Sequence, residues 1–471
     1  MSRAVLLLAL LVTGVLAQAD EPILLGRRLE VFVDDHFVAS TSGDLRRVVH
    51  QPRAEEVVLV TDQPWEGNTC AYYTLFHDGE LFRMYYRGSH ADEQTKKSAH
   101  REVTCYAESH DGIHWTKPEL GLIEWDGSTK NNIVWDGVGG HNFTPFKDPN
   151  PAAPPEARYK ALASGTGVGK GLYAFQSPDG LRWSMMQSTP VITKGAFDSQ
   201  NLAFWDPVTG QYLDYHRTFV DGVRAIMTCR SEDFVNWTEP ELLTYPEGTP
   251  AEHLYTNAIR LYPQRRQLFP QAPRLWIGFP TRYQPKNSQV EPIFISSRDG
   301  RHFVRSTDPV IPITAPSERD GNRSNYMANG VLALPDHPGE LAVYGSEAYY
   351  AGPDSRLRRF MYRLDGFASL SAGKQGGEVL TQPFTFEGDQ LILNYATHDG
   401  GSIRVELQTA EGDVIAPFDL QSCQSLQGDN TAAVVSWKLG DGLIRHAGQP
   451  VRLRFVLQNA DLYSLHFRLL E

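Results

Sequence analysis

Ser109-His110-Asp111-Gly112-Ile113-His114-Trp115 is the stretch on which the fold turns, because the chain repeats it. Ser177-Pro178-Asp179-Gly180-Leu181-Arg182-Trp183 comes next. Ser231-Glu232-Asp233-Phe234-Val235-Asn236-Trp237 and Ser297-Arg298-Asp299-Gly300-Arg301-His302-Phe303 follow. The four aspartates are spaced 68, 54 and 66 residues apart. Each copy trails a β-like run: Thr104–Glu108, Leu172–Gln176, Ala225–Cys229 and Pro292–Ser296. The chemistry is that of a tight turn. Ser and Asp side chains accept bonds from turn amides, and Gly supplies the position with positive φ. The aromatic residue then opens the next strand.

Working outward, two further strand-like runs precede each hairpin. In the first unit they are Ala71–Phe76 and Leu81–Arg87; in the third, Leu202–Trp205 and Tyr212–Arg217; in the fourth, Asn257–Tyr262 and Leu275–Pro280. A fifth unit shows Gly330–Leu334 and Glu340–Ser346. Units of this length with about four strands each are propeller blades, since one isolated sheet of that size cannot bury both faces. Five are counted, at about 60–130, 131–195, 196–250, 251–315 and 320–370. Residues 20–59 are expected to brace the propeller or to close its last blade. Ser371–Gly377 has a linker's composition, and the alternating strands beyond it predict a β-sandwich. The expected class is therefore all-β: a signal peptide at 1–19, a five-bladed β-propeller at 20–370 and a β-sandwich at 371–471.

Composition narrows the function. The 471 residues carry a formal net charge of −12, the wrong sign for a duplex nucleic-acid binder or for adhesion to an anionic membrane. Arg3, the apolar run Val5–Leu16 and the small residues Ala17 and Ala19 fit a cleaved secretory signal, so a secreted or periplasmic protein is expected. No later run is long and apolar enough to span a bilayer. Cys70, Cys105, Cys229 and Cys423 lack the spacing of a zinc site. Either a Cys70–Cys105 bridge or buried free thiols would suit them.

A propeller gathers the loops that enter its inner strands at one mouth of the central channel. Those loops here are Trp65-Glu66-Gly67-Asn68, His141–Pro149, Phe197–Asn201, Glu252–Asn257 and Asn322–Tyr326, and the first four include a carboxylate. On these residues the chain resembles the five-bladed propeller glycosidases of glycoside hydrolase families 32, 43 and 68, most closely secreted bacterial family-32-like proteins. The resemblance implies one essential carboxylate in each of the first three blades. Glu66 would be base or nucleophile, Asp148 in Phe146-Lys147-Asp148-Pro149 the transition-state stabiliser, and Asp198 the acid, with Glu252 as the alternative acid. The chain departs from the family motifs in having Glu at the first position, Lys147 for Arg, and Asp at the third. Glycoside hydrolysis needs this chemistry, one carboxyl group to protonate the leaving oxygen and a second to attack or to activate water.

Around these acids, Trp65, Tyr255 and Tyr283 offer faces for sugar stacking. Arg217, Arg282 and Arg323 offer bidentate contacts to carboxylate or sulfate. His141, Asn142 and His253 complete the candidate binding set. The expected partner is an oligo- or polysaccharide. No cofactor is called for, a structural calcium ion aside. Three alternatives stand beside the hydrolase. One is a sialidase-like enzyme, suggested by the likeness of the turn motif to the sialidase Asp-box. The others are a phosphorylase, which would need a basic subsite for phosphate, and a non-catalytic carbohydrate-binding propeller.

Overall fold

The computed structural model describes residues 21–165, 169–263, 274–313, 326–438 and 442–470. The expected signal peptide and Arg323 lie outside the described residues. Strands and turns make up the rest, with two short 3-10 turns at Pro155–Ala157 and Leu443–His446 and no α-helix among the described residues. No described helix is long and apolar enough to cross a membrane.

Five antiparallel sheets form the blades of a propeller. Blade I holds Ala71–Asp78, Leu81–Gly88, Val103–Ser109 and Ile133–Asp136. Blade II holds Thr144–Lys147, Tyr159–Ser164, Leu172–Ser177 and Ser184–Met185. Blade III holds Leu202–Asp206, Gln211–Val220, Val223–Ser231 and Glu241–Leu242. Blade IV runs outward from Arg260–Leu261 through Trp276–Gly278 and Gln289–Ser297 to Phe303–Pro309; Thr281–Gln284 continues its second strand and pairs His253–Leu254. In blade V, bridges from Met327 to Gly345 and from Leu332 to Ala342 lay an inner strand against Glu340–Glu347, which pairs Arg356–Arg363. The outermost strand of blade V is Arg53–Val60, from the front of the chain. That one strand closes the ring. A parallel bridge between Thr74 and Asn329 joins blades V and I.

All four repeated turns form as their residues dictate. In the first, Ser109 Oγ accepts from Gly112 N at 2.9 Å, and Asp111 Oδ1 accepts from Ile113 N and His114 N at 2.8 Å. Gly112, Gly180 and Gly300 take φ of +76°, +77° and +78°. Each turn carbonyl also anchors the preceding blade: Tyr344 donates to Gly112 O at 2.7 Å, Tyr85 to Gly180 O at 2.9 Å and Tyr215 to Gly300 O at 2.7 Å. Blade III departs from the pattern. Phe234 holds the glycine position at φ +70°, and its buried ring packs on Phe146, Tyr212 and Trp237 where the tyrosine clamp would sit.

Behind the propeller lies an eight-stranded β-unit with its own apolar core around Phe384, Leu393, Val405, Phe455 and Leu465. Ala368–Thr381, Gln390–Thr409 and Val451–Arg468 are its long strands. Register breaks at 372/377 and 397/402 divide them into halves that both feed this core. Three strands from the front of the chain, Ile23–Gly26, Glu30–Val31 and Val38–Val49, complete it. The linker expected at Ser371–Gly377 is a bulge inside Ala368–Thr381. Its glycines allow close crossing of strands, for a Cβ on Gly43 would lie 2.7 Å from Gly376 O. All four cysteines are buried free thiols, so no Cys70–Cys105 bridge forms.

Candidate functional site

Each blade places one residue from just before or at the start of its inner strand at a common mouth: Tyr72, His141, Asp198, Tyr255 and Tyr326. Tyr72 starts its strand at φ +56°, a costly conformation for a ring-bearing residue. Its hydroxyl reaches Asp198 Oδ1 at 3.4 Å. Its ring lies 5.5 Å from that of His141. Tyr255, Tyr326 and Tyr349 continue the wall edge to face, at centroid separations of 5.6 Å. A pocket lined by Tyr72, Gln200, Tyr255, Tyr326 and Tyr349 opens between them.

The polar centre is a chain of three groups. His141 Nδ1 bonds Glu102 Oε2 at 2.8 Å, and Nε2 bonds Asp198 Oδ1 at 3.0 Å. Arg87 is buried behind them and fixed by Thr69 O at 2.6 Å and by the Tyr349 hydroxyl at 3.0 Å. It lies 3.6 Å from Glu102 and 3.2 Å from His141, and its guanidinium covers the Tyr72 ring. Arg217 stands 3.9 Å from Asp198. The Asp198 side chain is 67% exposed, against 32% for Glu102. The hydrogen bond from His141, helped by its charge and that of Arg217, holds the Asp198 carboxyl down at about 2. Burial works against protonation of His141, but its bonds to Asp198 and Glu102 outweigh that and raise it. Its contact with Asp198 therefore favours the protonated form of His141, and Asp198 is an anion near neutral pH. That is the wrong protonation state for Asp198 as the acid implied by the family resemblance.

The other implied carboxylates do not join this centre. Glu66 has a fully buried side chain at the seam of blades V and I. Its oxygens are taken by the Tyr86 hydroxyl at 2.5 Å, Lys117 Nζ at 2.6 Å and Gln63 N at 3.1 Å. Burial pushes its carboxyl up, and none of its side chain is exposed. Asp148 lies at the opposite end of the channel. The neighbouring Lys147 pairs with Asp78, the last residue of an eight-residue inner strand that begins at the mouth. At ~3.3 Å per residue that end is roughly 20 Å away. Asp148 itself is buried against Lys160 and the Tyr212 hydroxyl. Glu252 is held by Arg282 and Arg305, each at 3.2 Å.

Among the expected binding residues, His141, Arg217, Tyr255 and His253 surround the mouth. Trp65 donates to Asn132 at 2.6 Å within the blade seam, so its ring is structural. Asn142 is buried and donates to Phe197 O and Ser199 O at 2.6 Å. Asn201 makes the same two bonds at 3.0 Å, so polarity before an inner strand in part serves to tie blades together. Arg282 is spent on Glu252 and Glu291. Tyr72, Arg87, Glu102, Arg224, Tyr326 and Tyr349 were not singled out from the sequence. Tyr326 ends the last quoted entry loop, the one signal that pointed to it.

Both ring nitrogens of His141 are engaged by carboxylates, with Arg87 adjacent. Among the described residues the group that offers metal-ligating atoms is Asp214, His216 and Cys229, buried together in blade III within 4.8 Å of one another. The imidazole pairs with Asp214 and the thiol reaches it at 3.4 Å, which accounts for their proximity without an ion.

No protein-family model matches the chain, and no curated protein does. Similarity appears among solved structures. A β-1,2-mannobiose phosphorylase from Listeria innocua is 12% identical, covering 68% of this chain and 97% of its own, with a TM-score of 0.45. A protein described as a glycoside hydrolase is 11% identical over 67% and 93%, at 0.45. A Bombyx mori family-32 β-fructofuranosidase is 10% identical over 90% and 95%, at 0.40.

Proposed function

We propose that the mouth is the active site of a glycoside-cleaving enzyme in which Asp198 and His141 act as a pair. The observation that carries this is the Glu102–His141–Asp198 chain opening into a wall of tyrosines. Neighbouring groups whose pKa values are driven apart are the usual signature of an acid and a base. Asp198, ionised and exposed, is the base toward water or the nucleophile at the anomeric carbon. His141, protonated and oriented by Glu102, is the acid toward the leaving oxygen. Their 3.0 Å hydrogen bond opens to admit the glycosidic linkage. Tyr72, Tyr255 and Tyr326 offer rings to the C–H faces of the sugar.

A screen of aryl glycosides and oligosaccharides tests this. With a turned-over substrate in hand, Asp198→Asn is expected to lower kcat by about a hundred-fold or more, the usual scale of acid–base catalysis. Unchanged turnover in that variant would remove Asp198 from the mechanism. The dispersal of Glu66 and Asp148 favours a second reading, a propeller that binds glycans without cleaving them. Saturable binding at the mouth with no release of sugar across the screen would decide for it.

A further inference from the structure

Two arginines on one face of blade III share the same rings at the edge of the mouth. Phe219 pairs Arg224 across the hairpin, and Arg217 lies two residues before Phe219, so all three point the same way. The Arg217 guanidinium lies 5.5 Å from the Phe219 ring and 5.1 Å from that of Tyr255. That of Arg224 lies 5.5 Å from Phe219 and 4.9 Å from both Tyr255 and Tyr283. Two like charges sharing two aromatic faces repel each other, and burial sharpens the repulsion. Asp198, 3.9 Å from Arg217, answers one of them.

Arg224 has no carboxylate within ion-pair distance among the described residues. Its side-chain contact is Nη1 to His253 Nδ1 at 3.3 Å, and its buried Nε has no partner among the described residues. Arg282 in the next blade shows what satisfied pairing looks like, with Glu291 at 2.6 Å and Glu252 at 3.2 Å. A half-buried guanidinium caged by three rings and lacking an anion is costly unless something completes it. The charge of −12 on the whole molecule makes a local cationic pair more conspicuous.

We propose that Arg224, with Arg217, forms a subsite for an anionic substituent of the glycan, a uronic acid carboxylate or a sulfate ester. The planar guanidinium suits bidentate contact with such a group. Tyr255, whose ring both guanidinium groups approach, borders the sugar that carries it. The inference rests on the carbohydrate reading of the mouth and names its substrate class.

The test uses the full chain at constant ionic strength. Calorimetric titration compares methyl glycosides of glucose, galactose and mannose with the corresponding methyl uronides and 6-sulfates, and with inorganic phosphate. At least one charged sugar is expected to bind about ten-fold or more tightly than its neutral parent, the usual scale for a charge-assisted contact. Arg224→Met keeps the stem on the rings and should erase that preference, while Arg224→Lys keeps part of it. Circular dichroism confirms that each variant is folded. Equal binding of charged and neutral partners would overturn the subsite. So would tight Arg224-dependent binding of phosphate alone together with its consumption in turnover, which would make the anion a co-substrate. Turnover of neutral glycosides through Asp198 with no charge preference would leave the active-site reading intact and sink only this inference.

Discussion

Asp198 and His141 show how far a residue's type and place decide its chemistry. The same imidazole depresses the carboxyls of both Asp198 and Glu102 and is itself raised by them, so protonation of the group depends on their contact. His141 faces Glu102, Asp198, Arg87 and the ring of Tyr72, and Arg87 is the one that opposes its charge. A raised pKa in the folded state stabilises the protein fully below the unfolded histidine value of about 6.5, and that stabilisation is lost as pH rises through the folded value. The Asp198 contribution runs the other way, present above the ordinary aspartate range and lost as pH falls toward about 2. The thermal midpoint of the wild type should therefore exceed that of His141→Gln most clearly in mildly acidic to neutral buffer. The gap should narrow on the alkaline side; a gap independent of pH would mean that His141 is not an imidazolium. His141, Asp198 and Tyr255 were legible because each sits just ahead of an inner strand. Glu66 and Asp148 were misplaced because a carboxylate beside a strand does not reveal which end of the channel it occupies, or whether a lysine already holds it. Tyr72 was passed over because an aromatic residue at the start of a strand resembles core.

The hairpin elements were the most legible part of the fold, since their turn chemistry is local and repeats. Less legible was their second duty of clamping the neighbouring blade through a tyrosine far away in sequence. Gly180 makes the two duties separable. A Cβ there would lie 2.8 Å from both the Tyr85 hydroxyl and Arg83 Nη1, and the backbone has φ +77°. Gly210 has φ +66° with nothing within 4 Å of an added Cβ. Gly210→Ala should cost about 1 kcal/mol for the conformation alone. Gly180→Ala should cost about 2–4 kcal/mol, because Tyr85 is buried and cannot retreat without giving up its bond to the turn. Urea denaturation of the two variants measures the difference, and equal losses would show that the clamp adds nothing. Blade III already carries a different solution in Phe234, which explains why its copy of the motif lacks the glycine.

At the scale of the whole molecule, the acids expected at the channel mouth are mostly placed elsewhere, and cations gather there although the chain carries a net charge of −12. The mouth sets Asp198 and Glu102 against Arg87, Arg217, Arg224 and His141, while other acids serve as ties between parts of the fold. Arg298, inside the fourth turn motif, is the clearest tie. It bonds Glu30 at 2.7 Å and Asp34 at 2.8 Å, joining blade IV to the strand Glu30–Val31 that completes the rear β-unit. Both carboxylates are nearly buried, at 4% and 7% exposure, so removing their partner leaves two desolvated charges. Breaking such a pair from one side costs about 3–5 kcal/mol when fully buried, and the partial exposure of Arg298 puts the expected loss at the lower end. Arg298→Met should therefore lower stability by about 3 kcal/mol near neutral pH. Burial already raises the Glu30 carboxyl in the intact protein, and without the guanidinium it must rise further. A carboxyl with a raised folded pKa takes up its proton as pH falls, which removes the unpaired charge and with it the penalty. The deficit of Arg298→Met relative to wild type should accordingly shrink on acidification toward pH ~5, the reverse of ordinary acid denaturation. Scanning calorimetry across that range measures it, and a deficit that grows with acid would show that the two carboxylates find other partners once Arg298 is gone.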